Sequence, residues 1–155
     1  MNITYHKATV DDISILVAHR ILFALELSGG QNEEEIIALK KQMTDYFLKA
    51  TAEHTCISFI AKCDDIVAGI GSVHLREMPG NFKNPSGKWG YIMNMYTIPM
   101  YRRKGICREI LNLLVEEGRL LNITAFELHA TKEGEMVYRQ EGFGVHFEPT
   151  LRKYI

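Results

Sequence analysis

The chain has 155 residues, 46% of them hydrophobic and 24% charged, with a formal net charge of −1. That length suits one domain spanning residues 1–155, and the apolar content is enough for a substantial core. A near-zero charge excludes the broadly basic surface that nucleic-acid or membrane binding requires, so any anion site must be local.

In chain order, "ITYHKATV" is short and β-rich and predicts a strand near Ile3 to Ala8. A helix follows, with Thr9 and Asp12 at capping-box spacing and Ile13, Leu16, Val17 and Ile21 on one apolar stripe. "SGG" at 28–30 stops it. A second helix starts from Asn32 as N-cap, with three Glu residues in its first turn. "TCISFIAKCDDIVAGIGSVHL" reads as two strands turning at Asp64-Asp65. "REMPGNFKNPSGK" is a loop, and "WGYIMNMYTI" is a strand ended by Pro99.

From Gly105 the apolar period changes to that of a helix, carried by Ile106, Ile110 and Leu113 or Leu114. "TAFELHA" predicts a strand, "GEMVYRQE" a short helix stopped by Gly142, and "FGVHFEPTLRKYI" one or two final strands. The predicted order is β-α-α-β-β-β-α-β-α-β-β, a mixed α/β domain with a central sheet.

The segment "YRRKGIC", Tyr101 to Cys107, concentrates positive charge where a strand gives way to a helix. A helix start exposes unpaired N–H groups and partial positive charge, and so suits an anion. Gly105 lacks a Cβ, which lets a ligand approach the backbone closely. Arg102, Arg103, Lys104 and Arg108 add cationic side chains, and a diphosphate is the natural guest. The plainer alternative is a solvated basic helix start, although cations there oppose the helix dipole by about 0.3–1 kcal/mol each.

This stretch resembles the Q/R-x-x-G-x-G/A acyl-CoA motif of the GNAT (GCN5-related) N-acetyltransferases, running here from Arg102 through Gly105 to Cys107. "ITYHKATVDDISIL", "DDIVAGIGSVHL" and "VYRQEGF" are similar to other segments of that family, in family order. The resemblance implies the acyl-CoA N-acyltransferase fold, a mostly antiparallel central sheet flanked by helices. It also implies a V-shaped opening between the fourth and fifth strands. Main-chain groups near Met95, Tyr96 and Thr97 would there pair with the pantetheine arm of acetyl-CoA. N–H groups of Arg103, Lys104, Gly105, Ile106 and Cys107, with Arg108, would hold the pyrophosphate, and Arg102 opens this cofactor-binding stretch. Thr131 would contact the arm where family members often have Asn.

Tyr138 matches the family tyrosine that protonates the departing CoA sulfur, and its ordinary pKa near 10 suits that role. The alternative is an aromatic that only packs, as Phe143 would. Glu77 and His129 are candidate bases, Asn94 could help position a water, and an amine arriving neutral needs no base. Counting alternation back from Tyr96 places Asn94 on the same face as Tyr96. Cys107 stands where the family has Gly or Ala. It is either a tolerated small residue or a thiolate favoured by its basic surroundings, able to form a mixed disulfide with CoA.

The implied reaction moves acetyl from acetyl-CoA to a primary amine by direct attack in a ternary complex. The alternative is a non-catalytic acetyl-CoA-binding sensor or assembly subunit. Glu26, Glu33, Glu34 and Glu77, with Met78 and Phe82, suggest a small cationic acceptor with an apolar part; a peptide amine stays open. Family members are often homodimers, and the apolar C-terminal strands could serve that purpose.

The remaining motifs fall away. "GIGSVH" lacks the helix a dinucleotide fingerprint needs, so its glycines mark a bulge or a close backbone approach. The scattered histidines show no HExxH, so no metal is expected. Three cysteines without a CxxC pair predict reduced thiols and a cytoplasmic location. "NITYHKATV" does not read as a signal peptide, and no apolar run approaches the roughly 18 residues of a membrane span.

Overall fold

The computed structural model describes all 155 residues. β1 (Ile3–Lys7) leads into a 3-10 turn and α1 (Ile13–Ser28), followed by α2 (Glu33–Ala52). Both helix entries are capping boxes, Thr9 with Asp12 and Asn32 with Glu35. Gly29, at φ +77°, ends α1 with its N–H on the Leu25 carbonyl. β2 (Cys56–Cys63) and β3 (Ile66–Glu77) form a hairpin across Asp64-Asp65, and Asp64 adopts the positive φ that a tight turn requires. β4 (Lys88–Thr97), α3 (Ile106–Leu120), β5 (Phe126–Leu128) and α4 (Glu135–Gln140) complete the order.

The five strands lie in sequence order, antiparallel from β1 to β4, with β5 parallel to β4. Two buried clusters sandwich the sheet. One joins α1 and α2 to Ile60, Ile70 and Tyr96. The other joins α3 to Val73, Ile92 and Tyr138. The predicted strand glycines mark close approach: a Cβ on Gly71 would sit 2.5 Å from Ile110 Cγ2 and 2.5 Å from Met95 Sδ. Gly71→Ala therefore forces the Ile110 and Met95 side chains to shift between α3 and the sheet. At about 1–3 kcal/mol for overpacking, the expected fall in melting temperature is about 3–10 °C, read by calorimetry.

The strands expected after α4 do not form. Residues 144–155 carry no strand, and Val145, Phe147, Leu151, Tyr154 and Ile155 are exposed. The β-like composition was misleading because a strand needs a partner. β5 offers only three residues, and Pro149 removes a donor from the segment that would pair with it. The sheet therefore ends at β5.

Candidate active site

β5 pairs with β4 only at Gly90–Phe126, Tyr91–Glu127 and Ile92–Leu128. Beyond Ile92, residues Met93 to Thr97 of β4 have no strand beside them on the β5 side, and the sheet opens there as a V. A bulge in β4 accompanies the opening. Ile70 pairs with Tyr96 and Ser72 with Met93, so Gly71 alone faces both Asn94 and Met95. Asn94 takes the extra turn, at φ +58°. The bulge also cancels parity along the strand: Ile92 packs on the α3 side and Tyr96 on the α1 side. The alternation count that put Asn94 on the face of Tyr96 therefore fails at this point.

A cleft of about 60 Å³ occupies the opening. Phe23, Met93, Met95 and Leu128 supply apolar walls, and Asn94, His129, Thr131 and Tyr138 supply the polar groups. Met95 thus lies in the cleft, and Tyr96 and Thr97 continue the unpaired edge. Tyr96 is buried against Phe23, at 5.8 Å between ring centroids.

Beyond β4 the chain makes a 3-10 turn at Pro99–Tyr101 and then enters α3. Arg103 at φ +61° and Gly105 at φ +81° alternate with ordinary residues, which turns successive N–H groups toward one side. Backbone N–H groups from Arg103 through Arg108 have no partner within the protein, and the first helical bond is Glu109 N–H to the Gly105 carbonyl at 3.0 Å. Nothing lies within 4 Å of the position a Gly105 Cβ would take. The loop is an open concave donor set matched to an anion such as a pyrophosphate.

The four cations divide. Arg102 is held by both carboxylate oxygens of Glu26, at 2.6 and 2.8 Å, and by the Thr97 carbonyl at 3.0 Å. The Glu26 hydrogen bond raises its pKa above the usual guanidinium value. Arg108 binds Glu141 at 2.8 Å and Gln140 at 2.5 Å, tying α3 to the end of α4. Arg103 and Lys104 have no carboxylate partner, and Lys104 stands over the Tyr101 ring. The backbone, with these two side chains, is thus the part of the loop that remains available.

Tyr138 is buried at the cleft wall, edge-on to Phe143 at 6.3 Å. Burial first, then the neighbouring Cys107, pushes its hydroxyl well above the ordinary tyrosine value. Burial raises the Cys107 thiol pKa, against a smaller lowering effect of the neighbouring Tyr138 hydroxyl. Of the two readings of Cys107, the thiolate is therefore the disfavoured one: desolvation outweighs the helix start. Incubation with CoA disulfide at pH 7.5 should leave the intact mass unchanged over the time in which a free thiol is modified. A CoA adduct absent from Cys107→Ala would refute this.

The base candidates fare unequally. His129 lines the cleft, but Nδ1 meets the Tyr91 hydroxyl at 2.7 Å and Nε2 meets the Thr150 hydroxyl at 3.1 Å. Glu77 pairs with Lys88 at the far end of β4, roughly 20 Å along the strand from Met95. Thr131 Oγ1 accepts the Gly134 N–H at 3.2 Å and helps start α4. The proposed acceptor residues do not converge either. Glu26 is spent on Arg102, Glu33 and Glu34 open α2, and Phe82 is exposed in the β3–β4 loop. A larger groove of about 190 Å³ between α1 and α2 shares no residue with the cleft. No group of three or more His, Cys, Asp or Glu converges to hold a metal ion, and no helix is long and apolar enough to cross a membrane.

An open sheet edge running into a helix start with partnerless N–H groups is the architecture of a CoA-dependent acyltransferase. The family model for the acetyltransferase (GNAT) family matches residues 24–143, and the chain belongs to that family. A predicted acetyltransferase from Clostridium acetobutylicum, crystallised with acetyl-CoA, is 30% identical with TM-score 0.89, over 98% of this chain and 96% of that one. A GCN5-related N-acetyltransferase from Ralstonia eutropha JMP134 is 22% identical with TM-score 0.85, over 98% of this chain and 99% of that one. Glucosamine-6-phosphate N-acetyltransferase from Arabidopsis thaliana shares the fold, at 17% identity and TM-score 0.68 over 99% of both chains. A search of curated proteins found no match.

Proposed function

We propose that the protein transfers acetyl from acetyl-CoA to a primary amine by direct attack within a ternary complex. The observation that carries this is the continuous path from the unpaired β4 edge, past Tyr138, to the six partnerless N–H groups at the start of α3. The pantetheine arm would take the place of a strand along Met95 to Thr97, and the pyrophosphate would lie on the loop from Arg103 to Cys107. The thioester then falls in the cleft beside Tyr138.

The amine nitrogen bonds to the thioester carbon, and the carbonyl π pair moves to oxygen. On collapse the C–S bond breaks, the pair leaves on sulfur, and the Tyr138 hydroxyl supplies its proton. The surplus amine proton goes to solvent, and Tyr138 is reprotonated. With both nitrogens of His129 engaged, the amine arrives neutral without a protein base. Spontaneous turnover would then rise with pH through the pKa of the amine.

A thiol-release assay across polyamines, amino acids, aminosugars and peptides tests the reading. Release with at least one primary amine, together with stabilisation by CoA, supports it. Stabilisation by CoA without release on any amine would favour a non-catalytic acetyl-CoA sensor instead, and stabilisation by ATP alone would overturn both.

A further inference from the structure

Four polar residues are buried: Ser58, Ser72, Asn84 and Asn94. Ser58 and Ser72 bond each other at 2.7 Å, and Asn84 donates to the Lys88 carbonyl at 2.9 Å. Asn94 differs. It is only 2% exposed, yet neither Oδ1 nor Nδ2 has a partner in the protein. Buried polar atoms are nearly always paired, so two orphans on one side chain call for a reason. Backbone geometry alone does not supply it. The left-handed bulge position is one that glycine fills without burying any polar group.

Asn94 borders the cleft where β4 parts from β5, its carboxamide buried behind the wall. Of the other polar groups there, His129 is spent on Tyr91 and Thr150, and Thr131 on Gly134. Tyr138 is assigned to the sulfur. Among the side chains of the cleft, only Asn94 is left to meet the carbonyl oxygen, which gains negative charge, and the N–H of the attacking amine.

We propose that Asn94 is a substrate-contacting catalytic residue. Its Nδ2–H donates to the thioester oxygen as that oxygen becomes the tetrahedral oxyanion, and its Oδ1 accepts from the attacking amine. This rests on the acetyl-transfer reading above. The two ends of one carboxamide match the two atoms that flank the reacting carbon, and burial strengthens both contacts by excluding water.

Two variants keep the backbone. Asn94→Gly suits the positive φ and removes the carboxamide, while Asn94→Asp keeps the shape, tolerates the conformation and replaces the donor with an acceptor. With folding verified by circular dichroism, infrared difference spectra of bound acetyl-CoA, with and without ¹³C at the carbonyl, read the contact directly. The carbonyl stretch should move to higher frequency in Asn94→Gly than in the wild type. With an amine that turns over, kcat should fall about 10²-fold in both variants, with the KM for acetyl-CoA within about threefold. An unchanged stretch in Asn94→Gly, or in Asn94→Asp if the glycine variant does not fold, overturns the proposal. If the wild type binds acetyl-CoA but acetylates nothing, the transfer reading fails while the spectrum still decides the contact. Absence of acetyl-CoA binding to the wild type overturns both.

Discussion

Tyr138→Phe should lower kcat by about 10²-fold or more while leaving the KM for acetyl-CoA nearly unchanged. The ring stays edge-on to Phe143 and against Gly134, so α4 keeps its packing, and only the hydroxyl is lost. That hydroxyl is held protonated, chiefly by burial and further by Cys107, so it has a proton to give. Its acceptor is the departing sulfur, which becomes basic only as the C–S bond breaks. The loss should therefore fall on kcat rather than on binding. A substrate whose thiol leaves more easily should narrow the gap between wild type and variant, because it depends less on the proton.

The pH profile carries the same signature. A raised pKa keeps the acid form populated beyond the ordinary tyrosine range, so Tyr138 should produce no loss of kcat as pH rises to 10. Equal kcat values for wild type and Tyr138→Phe, or a decline starting near pH 8 that the substitution abolishes, would remove the role.

Features fixed by neighbours in the chain were legible in the sequence. Thr9 with Asp12, and Asn32 as N-cap, announced two helices, Asp64-Asp65 the hairpin, and Gly105 the entry to α3. What the sequence concealed depends on distant partners. Arg102 read as part of the cofactor-binding stretch, yet Glu26, 76 positions earlier, receives one guanidinium nitrogen on both carboxylate oxygens. Arg108 is engaged by Gln140, 32 positions later. For Cys107 the charges beside it left an activated thiol open next to a tolerated small residue, whereas burial, which no local count reveals, raises its pKa. The bulge at Asn94 leaves no sharp signature in "YIMNMYT" beyond an Asn amid apolar residues. That Asn was the available clue, since it is one of the few side chains that tolerates the left-handed region.

Gly105→Ala should weaken CoA binding at least tenfold while leaving kcat at saturating acetyl-CoA close to the wild-type value. A new Cβ here meets no protein atom within 4 Å, so steric clash inside the fold cannot be the cause of any loss. Two effects remain. The residue sits at φ +81°, which costs a side chain roughly 1–2 kcal/mol. The methyl group also projects into the space the partnerless N–H groups face, where a phosphate would have to approach. Gly29 separates the two. It has φ +77° and no atom within 4 Å of its would-be Cβ, but it ends α1 far along the chain from the loop. Gly29→Ala, at ψ −150° where Gly105 has −3°, should therefore lower the melting temperature by more than Gly105→Ala does and still leave the Kd for CoA as in the wild type. Calorimetric titration with CoA, rather than acetyl-CoA, keeps the comparison independent of turnover. Raising the salt concentration should weaken binding to the wild type, since Arg103 and Lys104 contribute through screened charge, while the backbone share persists. If Gly105→Ala and Gly29→Ala bind CoA equally well, the loop is only a helix start and the pyrophosphate must lie elsewhere.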